Sequence, residues 1–291
     1  MKKRIVIIGL FLLAFITGCS RSTGETEVPT QNSQPEIQLK ADAKLGLVLT
    51  DKTGRTLYFF ANDSNGSNTC TGGCEAVWPI FNVENLTAQA LGKDLDIEDF
   101  KTTTTVSGKK QITYKGYPLY YFAPNGGAQE APGETKGEGA GNVWFVAKPD
   151  YTIMLANAQL VGNNGKNYTS NYTEGTGRTS YFTNSKGLTL YTFTNDRKNK
   201  NNWTLADFSN DNVWPIYEED KIVVPSSLDK SLFGSITVHG KKQLTYKGWP
   251  LYYFGGDNKE RGSNKGVTVP NNRPPGSVWP VAVKDVALAV D

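Results

Sequence analysis

The chain has 291 residues, 38% of them hydrophobic and 20% charged, with a formal net charge of +3 from 31 basic and 28 acidic side chains. No Lys/Arg-rich block of the kind that tracks a phosphate backbone occurs, so the sequence argues against nucleic acid as a partner. With one histidine, three cysteines and two methionines, the stock of imidazole and sulfur ligands is small, and no cofactor or metal is expected.

The chain opens "MKKRIVIIGLFLLAFITGCS". Lys2, Lys3 and Arg4 precede an apolar run from Ile5 to Ile16. That run is shorter than the roughly 20 residues needed to span a bilayer core. It has the length of a signal-peptide core. Ile16-Thr17-Gly18-Cys19 then resembles the bacterial lipobox, in which a small residue precedes a cysteine that is diacylated after cleavage. The reading is a signal peptide over 1–18 and a lipidated Cys19; the alternative is an ordinary secretory signal with Cys19 incidental. Loss of the three basic residues with the signal leaves the mature chain formally neutral. Residues 19–40 are dominated by Ser, Thr, Glu, Gln and Pro and show no apolar periodicity. Such a segment buries too little surface to offset its ordering entropy, so it is expected to be a flexible tether. Its r.m.s. reach is about 25 Å.

Cys70 and Cys74 remain, in "NTCTGGCEAVWP". In an exported protein a close pair usually forms a disulfide, and Gly72-Gly73 permits the tight loop. A redox-active pair and half of a metal site are the alternatives.

The body is duplicated. "GKKQITYKGYPLYYF" at 108–122 and "GKKQLTYKGWPLYYF" at 240–254 agree at 13 of 15 positions. Each is followed by a Gly-rich loop and a tryptophan segment, with Trp144 and Trp279. Upstream, "LTDKTGRTLYFFAND" at 49–63 matches "FTNSKGLTLYTFTND" at 182–196, each followed by Trp-Pro at Trp78 and Trp214. Two domains are therefore expected, near 41–150 and 176–291, joined by a linker over 151–175. Within each copy a shorter grammar recurs: Tyr, a residue, Phe, two residues, then Asp. It appears as Tyr58/Phe60/Asp63, Tyr191/Phe193/Asp196 and Tyr252/Phe254/Asp257; Asn125 replaces the aspartate after Tyr120 and Phe122.

These segments are β-branched and aromatic and are bounded by turn residues, which predicts short strands. In a strand the Tyr and Phe share one face. The Asp or Asn falls where the strand gives way to a turn, where it can cap backbone amides. "DKTGR" and "NSKGL" predict turns whose Gly takes a positive φ. Residues 85–100 are the best candidate for a helix or turn. The fold class is mainly β: two tandem antiparallel domains, each a small sandwich or barrel-like unit.

At these residues the chain resembles the bacterial lipoprotein family with the Y-x-[FWY]-x-x-D motif, the secreted repeat of unknown function. The resemblance rests on G-x-T-L-Y-x-F, on C-T-G-x-C followed by W-P, and on Q-x-T-Y-x-G-x-P-L-Y-Y-F, and it covers nearly all of 41–285. It implies export, lipid anchoring and the tandem architecture, and it brings no activity. Aligning Trp214 with Trp78 places Ala206 opposite Cys70 and Asn210 opposite Cys74, so the disulfide loop is absent from the second copy.

No catalytic constellation emerges. His239 is the only histidine, and Ser107 stands at its place in the first copy. No P-loop, HExxH or GxSxG pattern occurs. The expected function is non-enzymatic: an envelope protein, facing outside the cytoplasm and lipid-anchored to the cell membrane or outer membrane, that binds a protein partner or an envelope polymer such as a polysaccharide. The alternatives are a redox or metal-handling accessory built on Cys70/Cys74 and a hydrolase without a recognisable motif. Most motif aromatics are expected in the core. The alternating residues Tyr121 and Tyr253 are expected to face outward as the better ligand candidates.

Overall fold

Short strands joined by tight turns and irregular loops build the body. In the computed structural model, residues 34–291 are described; Cys19 and the signal segment lie outside the described residues. Among the described residues thirteen strands form five small antiparallel sheets, and none closes into a barrel. Strand β1 (Ile37–Asp42) pairs with β2 (Gly46–Asp51), and β3 (Tyr58–Phe60) pairs with β7 (Trp144–Val146). Between them in sequence, β4 (Phe100–Thr104), β5 (Lys110–Tyr114) and β6 (Tyr117–Pro118) form a meander. In the second copy β11 (Phe233–Val238), β12 (Lys241–Tyr246) and β13 (Trp249–Pro250) repeat that meander. The third three-stranded sheet sets β8 (Met154–Val161) between β9 (Asn167–Tyr168) and β10 (Arg178–Thr183).

The turns follow their residues. Lys115-Gly116 (φ +48° and +81°) and Lys247-Gly248 (φ +50° and +84°) are left-handed pairs whose twist matches the flanking strands. Gly54 and Gly187 take the positive φ expected of "DKTGR" and "NSKGL". Residues 85–100 hold two short 3₁₀ turns, Ala88–Ala90 and Ile97–Asp99. The one α-helix among the described residues is α1, Gly73–Val77.

Three boundaries differ from the sequence reading. Ile37 is fully buried in β1, so the ordered body begins inside the expected tether of 19–40. The expected linker of 151–175 contributes β8, and Tyr151, Ile153, Met154 and Leu155 join the largest core. That core holds Phe59, Tyr117 and Phe145 of the first copy beside Phe182, Leu190 and Leu244 of the second. Residues 34–291 are thus one compact unit rather than two domains on a linker. The reason is that β8 carries apolar residues at its start and end, hidden from pattern reading by Asn157 and Gln159 between them. Asn157 donates to Asn62 Oδ1 across the join (2.7 Å), and Tyr117 and Thr183 hydroxyls meet at 3.2 Å. Arg261 lies over the Tyr117 ring at 4.0 Å and donates to the Lys115 carbonyl. The positive φ of Gly116 favours glycine, and a Cβ there would push the Arg261 guanidinium, 2.7 Å away, off its place.

Candidate site: paired aromatic ladders with buried tyrosine–carboxylate bonds

The Tyr-x-Phe-x-x-Asp segments meet in pairs. Tyr58 and Tyr120 exchange backbone hydrogen bonds (2.8 and 2.9 Å), as do Tyr191 and Tyr252 (2.9 and 3.0 Å). Each copy therefore sets its two motif strands antiparallel about their tyrosines. The consequence is an exchange of side-chain partners: the tyrosine of one motif bonds the carboxylate of the other. Tyr252 donates to Asp196 Oδ2 (2.8 Å) and Tyr191 donates to Asp257 Oδ2 (2.7 Å). In the first copy Tyr120 donates to Asp63 Oδ2 at 2.5 Å. The fourth place would fall to Asn125, but Asn125 is exposed with φ +58° in a turn. Glu130, further along the same loop, takes its role and accepts from Tyr58 at 2.5 Å. Asn125 thus leaves the candidate site, and Glu130 joins it. The only signal that could have found Glu130 is its length, enough for a glutamate to reach back from a displaced position.

The second oxygen of each carboxylate gathers the adjoining loop. Asp63 accepts from the Thr69 amide and hydroxyl, Asp196 from the Asn202 amide, Asp257 from the Lys265 amide and Ser263 hydroxyl, and Glu130 from the Lys136 amide. The expected capping role of Asp257 is met in this form. All four carboxylates are buried, and none has an ion-pair partner among the described residues. Burial pushes Asp63 and Asp196 up to about 6, against the hydrogen bonds that favour their charge. It raises Asp257 and Glu130 as well. The four tyrosines are raised far above their usual range, first by desolvation and then by the adjacent carboxylate.

Between the two tyrosines of each copy stands a ladder of rings. Phe60, Trp144, Trp78 and Phe122 follow one another at centroid distances of 3.9, 3.8 and 4.6 Å. Phe193, Trp279, Trp214 and Phe254 repeat this at 4.4, 3.8 and 4.5 Å. The tryptophan planes are parallel to within 3° and 7°. Each tyrosine meets one indole edge-on: Tyr58 on Trp78 and Tyr120 on Trp144, then Tyr191 on Trp214 and Tyr252 on Trp279, all at 5.1–5.4 Å. The geometry suits the ring quadrupoles. Gly137 and Gly266 close each ladder, and their amides approach the Tyr58 and Tyr191 hydroxyls at 3.3 Å. A Cβ there would lie 2.8 Å from Trp78 or 2.7 Å from Trp214.

Phe60 and Phe193 are buried, whereas Phe122 and Phe254 are only half-buried. The expectation of a fully buried Tyr252/Phe254 face is corrected on this point, because these phenylalanines cap the outer end of the ladder. Tyr121 and Tyr253 are also half-buried and face away from it. Tyr121 donates to Asp51 Oδ2 (3.0 Å), and Asn184 donates to the Tyr253 hydroxyl (2.9 Å). Tyr253 and Phe254 line a cleft of about 990 Å³ together with Asn184, Lys186, Lys259 and Glu260.

Cys70 and Cys74 are joined, with Cα atoms 5.2 Å apart, and Cys70 packs into the cluster of Trp78, Tyr120 and Trp144. The hydrogen bonds realign the second copy here. Asn68 donates to Gln111 Oε1, and Asn201 donates to Gln243 Oε1. Cys70 and Trp203 each follow two residues later, so Trp203, and not Ala206, stands opposite Cys70. Trp203 meets Trp279 edge-on at 5.1 Å and fills the disulfide's place. His239 is an exposed turn residue at φ +47°, its ring against the Thr204 carbonyl (3.1 Å).

A family model described as a secreted repeat of unknown function matches residues 40–82, 101–148 and 236–282. Three stretches of the chain thus resemble this secreted repeat. The matched stretches contain both motif strands of the first copy and the second motif strand of the other. The segment around Asp196 and Trp203, where the disulfide loop has been replaced, falls outside them. No curated protein and no solved structure matches the chain. In this chain the Tyr, Phe and carboxylate of the motif are thus parts of one device, shared between two strands.

Proposed function

We propose that the protein is a non-enzymatic component of the bacterial envelope, held to a membrane by lipid on Cys19, which binds a protein partner or an envelope polymer in the cleft beside Tyr253. The observation that carries this reading is the cleft itself. Its lining combines the half-buried rings of Tyr253 and Phe254 with the charged side chains of Lys186, Lys259 and Glu260. Aromatic faces with a polar rim suit a ligand that has apolar surface and hydrogen-bonding edges. The Asn184 hydrogen bond and the Trp214 contact hold both rings in place, so little ordering entropy is lost when a partner arrives.

The test is capture from intact envelopes with the full-length lipoprotein, parent beside Tyr253→Ala and Lys259→Ala. Recovery of one protein or polymer that falls with either substitution, while melting temperature holds for Lys259→Ala, supports the site. Equal recovery by all three overturns it. Anchoring has its own test. Cys19→Ala should yield protein without acyl chains by intact mass, and a parent lacking lipid would remove the anchor from the reading.

A further inference from the structure

The cleft uses only the outer end of the second ladder. The interior of each ladder holds something a binding protein does not need: redox-capable rings in van der Waals contact, beside phenols already bonded to bases. We propose that each ladder is a one-electron relay, able to pass an oxidising equivalent from the protein surface to a buried tyrosine.

The argument rests on two requirements of tyrosine oxidation. The electron must have a short path, since tunnelling falls off exponentially with the gap between rings. The proton must have an acceptor within hydrogen-bond reach, since an oxidised phenol is a strong acid. The stacked tryptophans at 3.8 Å and their edge contacts to Tyr191 and Tyr252 at 5.3 and 5.2 Å meet the first. Asp257 and Asp196, at 2.7 and 2.8 Å from the phenolic oxygens, meet the second. An external one-electron oxidant, such as an outer-sphere metal complex or an organic radical, removes one electron from an indole. The indole radical cation then takes one electron from the tyrosine, whose phenolic O–H breaks as its proton passes to the carboxylate. The products are a neutral tyrosyl radical, a carboxylic acid, a restored tryptophan and a reduced oxidant; charge and electrons balance. A one-electron donor such as a thiol returns the tyrosine, and the proton goes back along the same hydrogen bond.

The copies differ in access to the surface. In the second, half-buried Trp203 touches Trp279 edge-on. In the first, the Cys70–Cys74 disulfide stands there. The second ladder is therefore the better connected.

The experiment is flash oxidation of the full chain with photogenerated tris(bipyridyl)ruthenium(III), read by transient absorption and by freeze-quench electron paramagnetic resonance. The parent should form an indole radical that decays into a neutral tyrosyl radical, and that decay should slow in D2O. Trp203→Phe, which spares the Tyr–Asp bonds, should slow arrival of the oxidising equivalent several-fold. Asp196→Asn should lower the tyrosyl yield. The double variant Tyr191→Phe/Tyr252→Phe should lose the tyrosyl signal of the second ladder; if it fails to fold, the isotope effect and the Trp203→Phe kinetics still decide. A tyrosyl signal that ignores Trp203→Phe and D2O would come from tyrosines outside the ladders, such as half-buried Tyr121 or Tyr172, and would overturn the relay, as would the absence of any tyrosyl signal in the parent.

Discussion

Tyr120→Phe isolates one hydrogen bond. The ring keeps its edge contact with Trp144, and only the hydroxyl that donates to Asp63 Oδ2 at 2.5 Å is lost. Asp63 Oδ1 keeps its two donors from Thr69. Asp63 is fully buried, so water cannot replace the missing donor without opening the fold. Hydrogen bonds to charged groups contribute about 1.5–3 kcal/mol, and the expected loss is about 2 kcal/mol at pH 7.5. For a body of this size that corresponds to roughly 4–8 °C in melting temperature. A second signature comes from linkage. Burial already lifts Asp63 to about 6, and removing a donor to its charged form lifts it further. The variant therefore regains more stability than the parent as pH falls through that range, and the deficit should shrink between pH 7.5 and pH 5. Paired thermal melts across this range are the assay. A deficit below about 1 °C at pH 7.5, or one that does not change with pH, would refute the idea that a charged Asp63 depends on the phenol.

The other outcomes concern the staple, the close packing and the second copy. Replacing Cys70 and Cys74 with Ser should lower stability by about 2 kcal/mol on the chain-entropy estimate for so small a loop, and thiol labelling of the native parent should find neither cysteine free. Gly266→Ala should cost about 1–3 kcal/mol by overpacking, since its Cβ would meet Trp214 at 2.7 Å and Tyr191 at 2.8 Å; Gly73→Ala, with nothing within 4 Å, should be near neutral in the same urea titration. Asp196, lifted to about 6 from an ordinary 3.8, costs stability while ionised, and this cost is relieved as pH falls through 6 and is gone below 3.8. The parent should therefore gain on Asp196→Asn by up to roughly 3 kcal/mol between pH 7.5 and pH 4.

The duplicated body, the strands and the glycine turns were legible because each rests on local signals: aromatic alternation, Lys-Gly and Asp-x-x-Gly turns, and a 13-of-15 match. The disulfide was legible for the same reason. What was not legible depends on contacts far apart in sequence. β8 reads along the chain as a short apolar run broken by Asn157 and Gln159, and which of its residues are buried shows only against Phe59 and Leu244 of the two copies. The place of Trp203 was missed because alignment on Trp214 passes over a change of loop length, which only the Asn201–Gln243 and Asn68–Gln111 bonds reveal. Glu130 was missed because an aspartate motif gives no reason to examine a glutamate beyond it.

That last case explains why the motif has the form it does. A tyrosine at the crossing point of two antiparallel strands sends its hydroxyl past its own strand end and into the loop of the other. A carboxylate three residues beyond each Phe is where that hydroxyl arrives, so the Tyr and Asp of the motif are both needed although they never pair within one motif. The Phe between them serves the ladder, stacking on Trp144 or Trp279 in one strand and on Trp78 or Trp214 in the other. What the fold requires at the fourth corner is a buried acceptor for Tyr58, not an aspartate at position 125. Glu130, longer by one methylene and held by the Lys136 amide, meets that requirement from a different place on the loop. Asn125 is thereby freed to take the left-handed turn in which it stands.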